Sequence, residues 1–387
     1  MNKKINILHG SALLLYEMYA GLAYSFGSYI LIEKGFSSTV AGIIMSLGNI
    51  VGFILQPIIS NITDNSKKIT IIHVLIIETA FSFVACVLNV FTQSPTISAA
   101  ISFVVILAAA SLLEALYNSV HFILNDNGYN VDFPKARALG SISFGLFSYL
   151  LGVLFEKLPF NVTLSLGPIV CALTIVVLLI LNKDTKIDKN NDEEDKITYS
   201  QFLKAHPNFI KIIISFVFIF LGYTMVDNFY ILKLNAIGAG SASLGLIILI
   251  KTLMEFPSFF MFKRIEKLFT TKRCLILSAF MFGVKNIVIF IAPNTQMICV
   301  AQIFQALALG LMSPSMISYI NQITTKKETV RGQALFSMAV ACGAILSSLL
   351  AGLVYDNLGL NVLYISSIIV IIIAAMFFTH FVLKDEH

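Results

Sequence analysis

Runs of about 20 or more predominantly apolar residues recur along the whole chain. A helix of that length crosses a hydrocarbon core roughly 30 Å thick. Twelve such runs fall at about 8–31, 38–62, 69–91, 97–124, 136–155, 162–182, 209–232, 242–262, 274–293, 297–320, 332–354 and 361–383. Inside lipid the backbone has no water to bond, so only helices and closed barrels span it. These runs are too long and continuous for barrel strands. The expectation is an all-α membrane protein with twelve transmembrane helices. Only 12% of the residues are charged, against roughly 25% in a soluble domain. Trp is absent, which leaves Tyr to serve at the membrane interfaces. The first run is too long for a signal-peptide core and lacks a cleavage site, so it too reads as a span.

Lys and Arg set the orientation. Alternate loops collect Lys3 and Lys4, Lys67 and Lys68, Lys135 and Arg137, and six lysines between Lys183 and Lys211. The same side then takes five cations between Lys263 and Arg273, three between Lys326 and Arg331, and Lys384, which makes 21 of the 26 in the chain. The opposite side holds Lys34, Lys157 and Lys233, while Lys251 and Lys285 fall within spans. Positive loops stay inside, so both termini are expected in the cytoplasm, in a multi-pass protein of the cell membrane. The net charge of +5 is thereby a matter of topology, and no nucleic-acid partner is expected.

Several other classes are excluded by what the spans contain. His9, His73, His121 and His380 are scattered near span ends without metal spacing, so neither an intramembrane enzyme nor a metal site is expected. The five Cys lie singly, with no CxxC pair, and read as small core residues. No phosphate-binding GxxxxGK[ST] loop is present, which excludes an ATP-driven pump in a single chain. No cofactor is implied.

The longest polar stretch, 183–207, is charged and poor in aromatics, as a linker would be. It separates residues 1–182 from 208–387, six spans from six. The two parts are similar at an offset of 200: "GVLFEKLPFNV" (152–162) aligns with "GLVYDNLGLNV" (352–362), and Pro57 with Pro257. Arg137 and Arg331 each open a fifth span. Six-helix halves repeated in parallel around a midplane site describe a rocking secondary transporter.

On these residues the chain resembles the major facilitator superfamily, and more narrowly the branch of lactose permease and related sugar or small-organic-solute proton symporters. The carriers are "AGIIMSLGNIVGFILQPIISNITDNSKK" (41–68), "KARALGSISF" (135–144), "MEFPSFFMFKRIEKLF" (254–269), "RGQALF" (331–336) and "LAGLVYDNLG" (350–359). The resemblance implies two six-helix bundles, a small-molecule solute, a coupling proton or sodium ion, and a monomer in the bilayer.

Arg137, Ser141, Phe144 and Ser148 share one helical face by spacing. A cation, a hydroxyl and a ring on one face suit a polyol, through charge-assisted bonds and stacking; a helix-packing groove is the other reading of the same small residues. The resemblance places an arginine and a stacking aromatic at Arg137 and Phe144, with Phe where the family has Trp. Ionisable groups inside spans face a cavity or each other, which marks Glu17, Glu78, Glu114, Asp227, Lys251, Glu255 and Lys285. Glu255 lies in the "EFP" piece shared with the relatives and Glu114 points into the first half; both join the binding set with Gln305. Asp227 pairs with Lys251 or with Lys285. Glu17 stands apart with Tyr16, Tyr19 and Tyr24 nearby.

The family's titrating tenth-span positions correspond to Gln305 and Ala308, neither of which titrates, so a coupling proton would fall to Asp227, Glu255 or Glu114. Asp64 with Lys67 and Lys68 resembles the gating loop, with Ser60 in place of its Gly. The expected activity is uptake of a sugar-like solute by alternating access with a proton. Export of drugs or metabolites, and symport of a nucleoside or aromatic acid, are the alternatives.

Overall fold

The computed structural model describes residues 2–65, 69–92, 95–185 and 198–385. Every described element is a helix. Side-chain caps start several of them: Asp132 accepts from the Lys135 amide (3.2 Å), Asn294 from that of Met297 (3.0 Å) and Thr96 from that of Ala99 (3.3 Å). Such caps satisfy amides that have no partner within the first turn.

Ten helices among the described residues are long and apolar enough to cross a membrane, where the sequence counts twelve runs. One break and one merger account for the difference. The first run is divided into Asn2–Ala20, a π turn over Gly21–Ser25 and Gly27–Glu33, and no piece qualifies alone. The last two runs form the single element Lys326–Lys384, interrupted at Gly359, whose φ of 83° and ψ of 176° are not helical. A positive φ of that size is open to glycine and strained for other residues.

The duplication is visible in the helices. Ser38–Asn65 and Ser241–Leu268 are each 28 residues long with an internal proline, Pro57 and Pro257. Ile71–Phe91 and Thr271–Ile291 are 21 residues each and share the offset of 200. Where Phe133–Lys157 stops before Pro159, the matching position in the second copy is Gly359. One copy ends its helix by removing a donor, the other by adopting positive φ.

The chain divides into two compact units, Met1–Asn191 with Gly240–Leu249, and Asp192–Ala239 with Ile250–His387. In the first, Asn2–Ala20 packs on Phe133–Lys157 and Leu166–Asp184, and Ile97–Asp126 packs on Ser38–Asn65 and Ile71–Phe91. A Cβ at Gly48 would stand 2.6 Å from Leu107 Cβ, and one at Gly52 would stand 2.8 Å from Ser111 Cβ. This Gly-x-x-x-Gly stripe lets two backbones touch, the usual device for helix association in lipid. Residues Gly240–Leu249 join this unit: Ser241 Oγ donates to the Gly152 carbonyl (3.0 Å), and the Ala242 amide to Glu156 Oε1 (2.9 Å).

In the second unit Pro207–Asp227 lies against Lys326–Lys384 and Thr271–Ile291. Its core is aromatic and aliphatic, with Phe216, Phe282, Met312, Tyr319 and Phe378 fully buried. A polar clasp crosses it. Asn286 Nδ2 donates to Ser367 Oγ (2.8 Å), and Ser367 Oγ to the Gly222 carbonyl (3.0 Å).

Two charge clusters inside the spans

The first unit holds Arg137, one turn into Phe133–Lys157. Its Nη1 donates to Glu17 Oε1 on Asn2–Ala20. The Glu17 side chain is 9% exposed and that of Arg137 41%, so the pair has one dry member and one open member. Space for it comes from Gly140, where an added Cβ would stand 3.0 Å from Glu17 Cγ. The rest of the face serves helix contact. Ser143 Oγ donates to the Leu14 carbonyl (3.0 Å), and a Cβ on Gly21 would approach Ser148 Oγ to 2.9 Å. Ser141 Oγ donates to its own helix at the Arg137 carbonyl (3.3 Å), and Phe144 is half-buried beside Gly21. The face carrying Arg137 therefore meets the first span, and packing and charge pairing use the same stripe.

Glu114 lies near the middle of Ile97–Asp126 and is nevertheless exposed. It interacts electrostatically with Arg137, Glu17, Tyr16 and Tyr24. The guanidinium thus bonds Glu17 and lies within electrostatic range of a second carboxylate, Glu114. Tyr16 and Tyr19 hold the first span on this helix by donating to the Ala110 and Ile106 carbonyls (3.0 and 2.6 Å). Glu78 is half-buried on Ile71–Phe91, a helix that supplies none of the charges in this cluster.

The second unit contains a chain of contacts over four helices. Lys251 Nζ bonds Asp227 Oδ2 at 2.6 Å, and Lys285 Nζ stands 3.8 Å from Asp227 Oδ1. Both pairings open to the sequence are therefore present, the first close and the second looser. Lys285 Nζ also donates to Gln305 Oε1 (2.6 Å), and Gln305 Nε2 donates to Glu255 Oε1 (2.7 Å) and Tyr223 Oη (3.2 Å). Lys285 and Gln305 are fully buried, and the ammonium lies 5.0 Å from the Tyr223 ring centre. A buried charge is tolerable only when paired and hydrogen-bonded, and this relay supplies both. It holds two carboxylates and two ammonium groups.

Gln305 reaches this place because its span is discontinuous. Thr295–Ala301, the five-residue Ile303–Leu307 and Leu309–Ile323 are separated at Gln302 and at Ala308, whose φ of −79° and ψ of −96° leave the helix. Gln302 Nε2 donates to the Ile298 carbonyl (3.0 Å) and to Tyr230 Oη (3.4 Å).

The sequence-derived residues are thus brought together in two sets, Arg137 with Glu114, and Asp227, Lys251, Glu255, Lys285 and Gln305. Ser141 is turned to its own backbone. Asp64 ends Ser38–Asn65 next to its last residue, and its side chain, like Lys67 and Lys68, lies outside the described residues. Glu17 and Tyr223 are the participants that sequence reasoning leaves out of the site. A lone carboxylate in a first span and a Tyr four residues before Asp227 were the available signals, the second an i,i+4 neighbour on one face. Among the described residues no group of three or more His, Cys, Asp or Glu could hold a metal ion.

Comparison with known proteins gives a consistent result. The chain is 23% identical to the uncharacterized transporter YwbF of Bacillus subtilis (strain 168) over 315 residues, 77% of this chain and 73% of that protein. In fold it is similar to a point mutant of the nucleoside transporter NupG, with a TM-score of 0.80 at 16% identity over 97% of this chain and 99% of that one. The POT family transporter PepTSo gives 0.76 at 11% identity, covering 100% and 99%. A bacterial homolog of the human lysosomal transporter Spinster, inward-facing and unoccupied, gives 0.72 at 13%, covering 99% and 98%. Residues 8–366 match the profile of the MFS_1-like family, so this chain belongs to that family and is a transporter of the major facilitator type, not an enzyme.

Proposed function

We propose that the chain is a secondary active transporter that carries a small polar organic solute, sugar-like in chemistry, across the cytoplasmic membrane by alternating access with a proton. The observation that carries this reading is the presence, in each unit, of a cluster of opposed charges within apolar spans. Such groups are expensive in lipid and mark solute or ion pathways. In this reading the element Lys326–Lys384 crosses twice around Gly359, giving twelve crossings with both termini in the cytoplasm. Residues 1–182 and 208–387 are the two bundles, 183–207 is the linker, and the working form is a monomer.

Arg137, Glu114 and Phe144 contact the solute from the first bundle and Glu255 from the second, with Ser141 at the edge. Asp227, Lys251 and Lys285 balance charge, and Gln305 holds Lys285 and Glu255 in register. Asp64 gates. The coupling proton falls to a carboxylate whose partner is shared, and Glu17 with Glu114 around one guanidinium is such a place. Protonation of Glu17 frees Arg137 for an oxygen-rich solute, so solute and proton load together; by linkage each raises the affinity for the other.

A second reading is a nucleoside as cargo. It is favoured by the fold similarity to the nucleoside transporter NupG at a TM-score of 0.80 and by the ring of Phe144 beside Arg137, since a nucleoside joins a polyol to a flat base that stacks. The deciding experiment is uptake of labelled sugars, nucleosides and aromatic acids into proteoliposomes under imposed proton or sodium gradients. Accumulation of a sugar driven by protons supports the first reading, and of a nucleoside alone the second. Efflux-only behaviour, or gradient-independent equilibration, would overturn proton-driven uptake.

A further inference from the structure

A groove of about 410 Å³ runs along the outside of the second unit between Pro207–Asp227 and the end of Lys326–Lys384. One wall is formed by Lys211, Ile214, Ser215 and Phe218, spaced i, i+3, i+4 and i+7 on one helical face. The other is formed by Ile373, Ala374, Phe377 and Phe381. The floor is low because Ser215 and Ala374 are small and buried, while Ile214, Phe218, Ile373 and Phe377 stand exposed at 47–57% as rims. The Ser215 hydroxyl donates back to the Lys211 carbonyl (2.8 Å), so the groove offers an apolar interior.

The charge in its lining is at one end. Lys211 is exposed, and among the described residues no carboxylate lies within ion-pair distance of it. Its ammonium is held 5.6 Å from the centre of the Phe381 ring, a cation–π contact that keeps it over the groove's mouth. From Phe381 the lining continues to Val370, which at 1.5 Å per residue is roughly 16 Å. That is about one leaflet of a core roughly 30 Å thick. The charged end is the one that the cation distribution assigns to the cytoplasm, where the leaflet surface is anionic.

We propose that this groove is a binding site for an anionic phospholipid of the cytoplasmic leaflet, with one acyl chain between the two helices and the phosphate on Lys211. A bare apolar furrow would take any lipid. A lysine at one end, one leaflet from the other and with no acid beside it among the described residues, selects a headgroup with a net negative charge. The assignment stands apart from the identity of the transported solute.

The test is native mass spectrometry of the purified full-length protein with equimolar phosphatidylglycerol and phosphatidylcholine of the same acyl chains. The wild type is expected to retain phosphatidylglycerol roughly fivefold better, the worth of one lysine at an anionic lipid surface. Lys211→Gln should bring the two lipids to parity and Lys211→Arg should keep the preference. Lys263→Gln, an exposed cation elsewhere on the same expected side, should change nothing. Glycerol phosphate without acyl chains should not displace the bound lipid. Equal retention in the wild type, preference surviving Lys211→Gln, an equal loss in Lys263→Gln, or displacement by glycerol phosphate would each overturn the site. Because Lys211 is a surface residue, the variants are expected to fold, and an unchanged thermal midpoint verifies it.

Discussion

Arg137 Nη1 donates to Glu17 Oε1, joining the fifth apolar run to the first across a gap that Gly140 leaves open. The carboxylate is the dry partner and the guanidinium the wet one. Removing the arginine alone strands the buried Glu17 carboxylate, while removing both leaves only the exposed Glu114 without its cation. Arg137→Ala should therefore lower stability by about 1–3 kcal/mol, and Glu17→Ala/Arg137→Ala should recover much of that loss. Thermal unfolding of the three purified proteins in detergent measures it. A double variant as unstable as Arg137→Ala would show that the pair does not hold the two helices.

The relay of the second unit makes a different demand. Gln305 is fully buried and bonds a cation with one end of its amide and an anion with the other. Gln305→Leu removes both bonds and leaves Lys285 with Asp227 at 3.8 Å as its nearest acid. Destabilisation by about 2–4 kcal/mol is expected from two charged groups losing a partner, together with loss of solute accumulation in proteoliposomes. An active Gln305→Leu of normal thermal midpoint would remove Gln305 from the relay.

Asp227 discriminates between its lysines by distance. The bond to Lys251 is 2.6 Å and the approach of Lys285 is 3.8 Å, but Lys285 has no exposed surface. Asp227→Asn should be more harmful to folding in the wild type than in a Lys285→Met background, because the buried ammonium is the one left uncompensated. Yield of folded protein by size-exclusion chromatography reads the comparison. Relief by Lys251→Met and not by Lys285→Met would reverse the assignment.

Gly52 tests the packing argument. A Cβ there would stand 3.0 Å from the Ala108 carbonyl and 2.8 Å from Ser111 Cβ, so even Gly52→Ala pushes two helices apart. A loss of about 1–3 kcal/mol is expected, the usual cost of overpacking. Gly128 has nothing within 4 Å of its would-be Cβ but has positive φ of 81°, and Gly10 is equally open in a helix. Gly10→Ala is therefore the neutral control in the same thermal assay.

Lys34 is nearly fully buried and donates to the carbonyls of Asn89 (2.7 Å) and Thr92. These carbonyls belong to the last turn and cap of Ile71–Phe91, where a cation is favoured. Lys34→Met should lower stability by about 2 kcal/mol without altering solute selectivity, as followed by thermal unfolding and the uptake panel. A changed selectivity would give Lys34 a part in the pathway.

The spans were legible because apolar length is a property of contiguous sequence. Their boundaries at Thr70, Thr96 and Asp132 follow from capping chemistry that is equally local. The duplication was legible too, since "GVLFEKLPFNV" and "GLVYDNLGLNV" keep their register; what that match hides is that Pro159 and Gly359 stop the helix by different means. The charged side chains could be named from their cost in lipid, yet their partners could not. Arg137 and Glu17 are 120 positions apart, and nothing in either neighbourhood specifies the other. Asp227 offered two lysines, and only packing assigns 2.6 Å to one and 3.8 Å to the other. The break at Ala308 beside Gln305 falls between helix-forming residues, and Gly310 and Pro314, which follow it, do not by themselves fix where the helix interrupts.

An amide is a two-ended connector, oxygen at one pole and nitrogen at the other. Gln305 therefore acts as an oriented adaptor, with Lys285 seated at one pole and Glu255 at the other, and it gains or loses no proton itself whether the surroundings are acid or alkaline. A half-turn of this one side chain would set its oxygen against Glu255 and its nitrogen against Lys285, so the order of charges along the relay dictates which way the amide faces.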